Sequence, residues 1–109
     1  TPFSNKKAVR DIITSCQEYI YWIDKYFSRA GLDLLAESLD NKKVKDVRIL
    51  MLPEKVNEKF LSLYSDFKKE FKNYGVKCKL RLITDKKLKR DIHDRWVISK
   101  NFCYNIPST

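Results

Sequence analysis

The residues best suited to chemistry lie in segment 91–99, which contains the only histidine of the chain. The apolar run 96–98 is typical of a short strand, in which side chains alternate between two faces. His93 and Arg95 would then share one face. An arginine binds phosphate oxygens, and a histidine can attack phosphorus or transfer a proton near neutral pH. We therefore predict a phosphate-handling site with His93 and Arg95 as its catalytic residues, the alternative being a structural histidine that only makes hydrogen bonds.

Positive charge is concentrated in the same part of the sequence. The chain has 23 lysines and arginines against 14 acidic residues, a net charge of +9. Residues 77–100 hold nine of these cations and only three of the acidic residues. A clustered positive field attracts polyanions such as nucleic acid or an anionic membrane surface. An ordinary lysine-rich surface is the alternative.

Residues 76–83 alternate between apolar and mostly basic side chains, which predicts a strand with one buried and one basic face. Cations at every second residue can follow a phosphate backbone. Equally, they can protect an edge strand against aggregation. Residues 84–91 continue the basic character as a turn or short helix. The predicted phosphate-binding residues are Lys77, Lys79, Arg81, Lys89 and Arg90.

The elements that must position these residues alternate between helices and strands. Apolar periodicity predicts helices over 5–16, 31–39 and 54–74, and strands over 19–23, 47–52, 76–83, 96–98 and 101–105. The run 19–23 is entirely aromatic or β-branched, which predicts a central strand buried on both faces. The alternation favours an α/β fold with a mixed, largely parallel central sheet flanked by helices and closed by an antiparallel hairpin.

Asp24 and Lys25 follow the predicted central strand at its carboxyl end. In open α/β sheets this is the end at which ligands bind, so both residues are secondary candidates for the site. An aspartate that only forms a turn is the alternative for Asp24.

Length and composition restrict the class of protein. A chain of 109 residues fits one domain over 1–109, and because it starts at Thr1 we expect it to be part of a longer protein. Its three cysteines, without Cys-x-x-Cys spacing, argue against a disulfide framework and a zinc site. The sequence shows neither a signal peptide nor an apolar run of the ~18 residues that a membrane span needs. We expect a cytoplasmic protein without a transmembrane segment.

The layout and the His93–Arg95 segment resemble one repeat, or half, of the phospholipase D superfamily. In that family a strand carries His-x-Lys, followed four residues later by Asp and then by Gly-Ser-x-Asn. His93 matches the histidine, Arg95 replaces the lysine, and Lys100 stands in place of the aspartate that orients the histidine. The His-Asp-Arg sequence resembles a branch that includes uncharacterised prokaryotic proteins and the membrane-associating domain of a midbody protein.

The resemblance implies a phosphodiesterase that needs no metal and no other cofactor, in which one histidine attacks phosphorus and a second protonates the leaving oxygen. With one histidine per chain, activity would require a homodimer that brings two copies of His93 together. We expect nucleic acid as the substrate. The alternative is an inactive module that binds nucleic acid, anionic lipid or a protein partner. Candidates for orienting His93 or replacing the missing family residues are Asp24, Asp91, Asp94, Asn105 and Ser108.

Overall fold

The computed structural model of the protein describes residues 2–107, with side chains from Ser4 onward. Its elements in chain order are α1 (Pro2–Ser15), β1 (Glu18–Ile23), α2 (Arg29–Ser38), β2 (Val44–Met51), a 3-10 turn (Pro53–Lys55), α3 (Glu58–Lys72), β3 (Lys77–Leu82), α4 (Lys86–Asp91), β4 (Trp96–Ser99) and β5 (Phe102–Asn105).

The five strands form one sheet in the order β3-β2-β1-β4-β5. Strands β1, β2 and β3 are parallel, and the crossovers between them are the helices α2 and α3. Strand β4 runs antiparallel to β1, and β5 runs antiparallel to β4. The predicted α/β fold with a mixed sheet and a closing hairpin is confirmed. The first strand of the chain lies in the centre of the sheet, and β3 and β5 form its two edges.

One face of the sheet carries the hydrophobic core. Trp22 of β1 lies opposite Ile49 of β2 and Val97 of β4, so these three buried side chains point to the same face. They pack with the apolar sides of α1, α2 and α3, which contribute fully or nearly fully buried residues such as Leu35 and Phe67. The result is a two-layer structure of three helices on one side of a sheet.

The opposite face has a different character, and we call it the open face. None of its thirteen side chains is fully buried, because no helix of residues 2–107 packs a core against them. These side chains are Lys77, Lys79 and Arg81 of β3; Asp46, Arg48 and Leu50 of β2; Tyr19, Tyr21 and Ile23 of β1; Trp96 and Ile98 of β4; and Cys103 and Asn105 of β5.

The prediction that β1 is buried on both faces is wrong. Its even-numbered residues Ile20 and Trp22 are buried, whereas Tyr19, Tyr21 and Ile23 are only half-buried. Tyrosine combines an apolar ring with a polar hydroxyl, so it serves equally well on a buried or a partly hydrated face. A run of aromatic and β-branched residues therefore does not by itself show which face is covered.

Helix α3 is shorter than the predicted range 54–74. Pro53 begins a separate 3-10 turn, and α3 begins only at Glu58. Asn57 sets this start, because its side-chain oxygen accepts a hydrogen bond from the Phe60 amide at 2.8 Å. The cap thus divides the predicted helix into two elements.

Gly31 in α2 gives a direct test of the core. A Cβ atom at this position would overlap with Cε1 of Phe27 and lie 2.7 Å from Cζ of the same ring. The Phe27 ring cannot move aside easily, since it packs edge-on against Trp22 at 5.0 Å and Phe60 at 6.2 Å between centroids. We expect Gly31→Ala to lower the free energy of unfolding by about 1–3 kcal/mol in urea denaturation, although alanine favours helices. Asp33→Ala, on the exposed side of α2, should change it by less than ~0.5 kcal/mol, and a stabilised Gly31→Ala would contradict the packing.

Candidate functional site

His93 and Arg95 do not lie on a regular strand together. Strand β4 begins at Trp96, and His93 lies in the bend between α4 and β4, with an exposed imidazole. Within residues 2–107, His93 makes no hydrogen bond or ion pair. Lys100, which replaces the family's aspartate, lies beyond the far end of β4 and pairs with Glu18 at 2.6 Å. The strand alternation used in the prediction therefore does not fix how His93 faces Arg95.

Arg95 is held by Asp24. Its Nε lies 3.4 Å from Oδ1 of Asp24, whose side chain is only 4% exposed. The same oxygen accepts a hydrogen bond from the Tyr26 amide at 2.9 Å. Burial raises the pKa of Asp24 above its ordinary value, while the Tyr26 amide and the positive charge of Arg95 act in the opposite direction. Asp24 thus positions Arg95, and no contact joins it to His93.

The other candidates for orienting His93 are dispersed. Asp94 is exposed and forms no hydrogen bond or ion pair in the described part of the chain, and Asp91 pairs with Arg90 at 3.4 Å. Asn105 lies on the open face, and Ser108 is outside the described residues. No residue from 2 to 107 therefore orients the imidazole.

The carboxyl ends of the parallel strands form a basic rim around α4. Lys25 donates a hydrogen bond from Nζ to the carbonyl of Lys89 at 3.0 Å, and Nζ of Lys89 lies 3.3 Å from Glu54. The exposed ring of Tyr26 lies between the cations of Lys55, at 5.3 Å, and Arg95, at 5.9 Å. The predicted phosphate-binding residues Lys89 and Arg90 each have a carboxylate partner here, although pairs this exposed are weak.

The basic residues of β3 are arranged differently, and we call Lys77, Lys79 and Arg81 the basic edge. All three are exposed and point to the open face from an edge strand. None of the three side chains forms a hydrogen bond or ion pair with another residue between 2 and 107. Because they are two residues apart, their side chains repeat every ~6.5 Å along the strand. The structure thus separates the five predicted phosphate-binding residues into three unpaired and two paired cations.

A groove between α3 and β3 extends this positive surface around the edge of the sheet. Its volume is about 290 Å³, and its apolar floor includes Val76 and Cys78. The lysines that line it are Lys68, Lys72, Lys77 and Lys79. The basic edge therefore borders both the open face and a cationic groove.

The open face also holds residues that the sequence reasoning missed. Tyr19 and Tyr21 stack with ring centroids 4.5 Å apart and an angle of 26° between the rings. The guanidinium of Arg48 lies 4.9 Å from the centroid of Tyr21 and pairs with Asp46 at 3.1 Å. The available signal was the alternation within 19–23, which puts both tyrosines on the face opposite Ile20 and Trp22.

The buried cysteines are not candidates for chemistry. Burial raises the pKa of Cys16 and of Cys78 to about 11, so both remain protonated thiols at neutral pH and are poor nucleophiles. Cys103 is exposed on β5. Residues 2–107 contain no cluster of three histidine, cysteine, aspartate or glutamate side chains that could hold a metal ion.

No family model matches the chain, and no curated protein matches it. Among the helices of residues 2–107, none is both long and apolar enough to cross a membrane. Evidence for function therefore comes from the geometry of this chain.

Proposed function

We propose that this chain is a phospholipase D-like domain that binds the phosphodiesters of nucleic acid. The basic edge carries the proposal. Lys77, Lys79 and Arg81 are exposed, aligned on one side of a strand and free of carboxylate partners in the described chain. Aligned cations can each neutralise a phosphate and release its condensed counterions, which is the main source of sequence-independent affinity for nucleic acid.

Nucleic acid fits this surface better than a membrane does. Binding to a bilayer surface usually needs apolar side chains that insert beside the cations. On the open face the larger apolar side chains are half-buried in a sheet, and the basic edge forms a line rather than a ring around an inserting residue. A line of cations is complementary in charge and shape to a linear polyanion such as a nucleic-acid strand.

Cleavage of the bound phosphodiester is the second candidate function. The exposed imidazole of His93, with no partner in residues 2–107, favours it, since such a group is open to a substrate or a second subunit. Arg95 lies two residues further on, and its Nε faces Asp24. Metal-independent hydrolysis through a phosphohistidine would need a homodimer, because the leaving oxygen requires the second histidine as an acid.

Binding and cleavage are tested on the same samples. Fluorescence anisotropy with labelled single-stranded and duplex DNA and RNA, in EDTA, should show an affinity that falls steeply between about 50 and 200 mM salt. His93→Ala should bind as the wild type does, because His93 lies in the loop before β4 and not on β3. Gel analysis then separates the two functions. Cleavage by the wild type that is lost in His93→Ala shows a phosphodiesterase, and binding without cleavage shows a recognition module. Absence of salt-sensitive binding to any of these probes would refute the proposal.

A further inference from the structure

We propose that the open face is a stacking platform for single-stranded nucleic acid. Bases lie on Tyr19, Tyr21 and Trp96, while the phosphates follow the basic edge. This inference rests on the proposed binding of nucleic acid, and it specifies the strandedness of the ligand and the side chains that contact its bases.

The strand register aligns the cations with the aromatic rings. Lys79, Arg48 and Tyr21 occupy adjacent positions across β3, β2 and β1. Neighbouring strands are ~4.8 Å apart, so Tyr21 lies ~10 Å across the sheet from Lys79. A nucleotide whose phosphate contacts the edge can extend its sugar and base inward over this distance. In the next row Arg81 lies at the edge and Trp96 lies on β4, three strands or ~14 Å away.

Tyr19 and Tyr21 form one aromatic stack with Arg48 over the ring of Tyr21, so a base can add to this stack or lie on Trp96. Tyr19, Tyr21 and Trp96 are half-buried on a face that no described helix covers. Their rings project from a rigid sheet rather than from loops, which lowers the entropic cost of holding a base. Open sheets that carry aromatic side chains bind single strands in this way, because every base has a face that can stack.

Arg48 positions the central ring. It bridges Asp46, at 3.1 Å, and the ring of Tyr21, at 4.9 Å from the centroid. The ion pair with Asp46 thus holds the guanidinium of Arg48 against the ring of Tyr21. Arg48 is also the fourth cation of the open face, on which Asp46 is the only carboxylate. The face as a whole is therefore complementary in charge to a polyanion.

A duplex cannot use the same surface fully. Its bases are stacked on each other inside the helix, so the tyrosine and tryptophan rings cannot reach their faces. A duplex would contact the basic edge alone. Single strands should therefore bind more tightly than duplexes of the same length, and only single-strand binding should depend on the aromatic rings.

The test compares Tyr19→Leu/Tyr21→Leu with the wild type, using oligo-dT, oligo-U and a duplex of matched length. Leucine keeps an apolar side chain on the sheet but removes the stacking surface. We expect the double variant to bind the single strands about 10- to 100-fold more weakly and the duplex unchanged. Tyr74→Leu, at an exposed tyrosine that follows α3, is the matched control and should leave binding unchanged.

A second measurement uses only the wild-type chain, so it does not depend on whether a variant folds. Trp22 is buried and Trp96 is half-buried on the open face, so stacking of a base should quench the Trp96 fluorescence of the wild-type chain with oligo-dT. A wild type that binds single strand and duplex equally, without quenching, would overturn the platform and leave the proposed function intact. A wild type that binds neither, or that prefers anionic vesicles to both, would overturn the proposed function itself.

Discussion

Replacing Lys77, Lys79 and Arg81 together with alanine is expected to reduce the affinity for single-stranded nucleic acid by about 100-fold at ~0.1 M salt. The reason is counterion release, which contributes a slope of about −0.7 per neutralised phosphate to the dependence of log K on log salt for single strands. Loss of three contacts should therefore reduce the slope by about 2. Anisotropy titrations at several salt concentrations measure both quantities.

The control for this prediction removes the same net charge elsewhere. Lys6, Lys59 and Lys69 are exposed on helices α1 and α3, and none of them lies on the open face. Their triple replacement with alanine should reduce the salt slope by less than about 1, because they are not aligned with the ligand. Equal losses of affinity and of salt slope in the two triple variants would show that net charge alone attracts the polyanion. The basic edge would then not be the binding surface.

Arg95→Ala is expected to lower the free energy of unfolding by about 1–3 kcal/mol at neutral pH, because it leaves the buried Asp24 carboxylate without its cation. The effect should depend on pH in a definite direction. Burial already raises the pKa of Asp24, and loss of Arg95 raises it further. An acid whose pKa is higher in the folded chain contributes stability that is lost as pH rises through that pKa. The loss in free energy of unfolding that Arg95→Ala causes should thus be largest at neutral pH and become smaller as the solution is acidified.

Urea denaturation at about pH 7 and about pH 4 measures this change. Asp24→Asn/Arg95→Ala is the matched control, since the asparagine Oδ1 can still accept the Tyr26 amide hydrogen but carries no charge. The double variant should be more stable at neutral pH than Arg95→Ala alone. If Arg95→Ala lowers the free energy of unfolding equally at both pH values, lost packing rather than an unpaired carboxylate is responsible. In both cases the activity of Arg95→Ala must be compared at a pH and temperature at which the variant is folded.

The parts of the fold that depend on local pattern follow from the sequence. The alternation in β3 predicts both its strand and its basic side, and β4 and β5 pair as the expected antiparallel hairpin, with its turn at Lys100 and Asn101. The covered face of β1 could not be predicted in this way. Its residues are apolar on both sides, and coverage depends on where the crossover helices pack.

The same distinction between local pattern and distant contacts applies to the candidate site. The sequence identifies the cations of the basic edge, because their alternation is local. It does not show that Lys89 pairs with Glu54 or that Arg95 pairs with Asp24, since these partners are remote in the chain. Strand alternation does not determine the relative orientation of His93 and Arg95 for a related reason. Strand β4 begins only where Trp96 pairs with Ile23 of the distant β1.

The central position of β1 has a consequence for how the chain folds. Strands β1, β2 and β3 each pair with a strand that is one crossover helix away in the chain. Strand β4 instead pairs with β1 across about 75 residues, as between Trp22 and Val97. Contacts this distant in sequence have a high loop-closure cost, and we expect the β4–β5 hairpin to dock late. Until it docks, one edge of β1 remains unpaired, and the contact between Asp24 and Arg95 is absent. The rim that holds Arg95 is therefore the last part of the molecule to assemble, and a ribosome-bound chain ending before β4 would expose β1 to pairing with other chains.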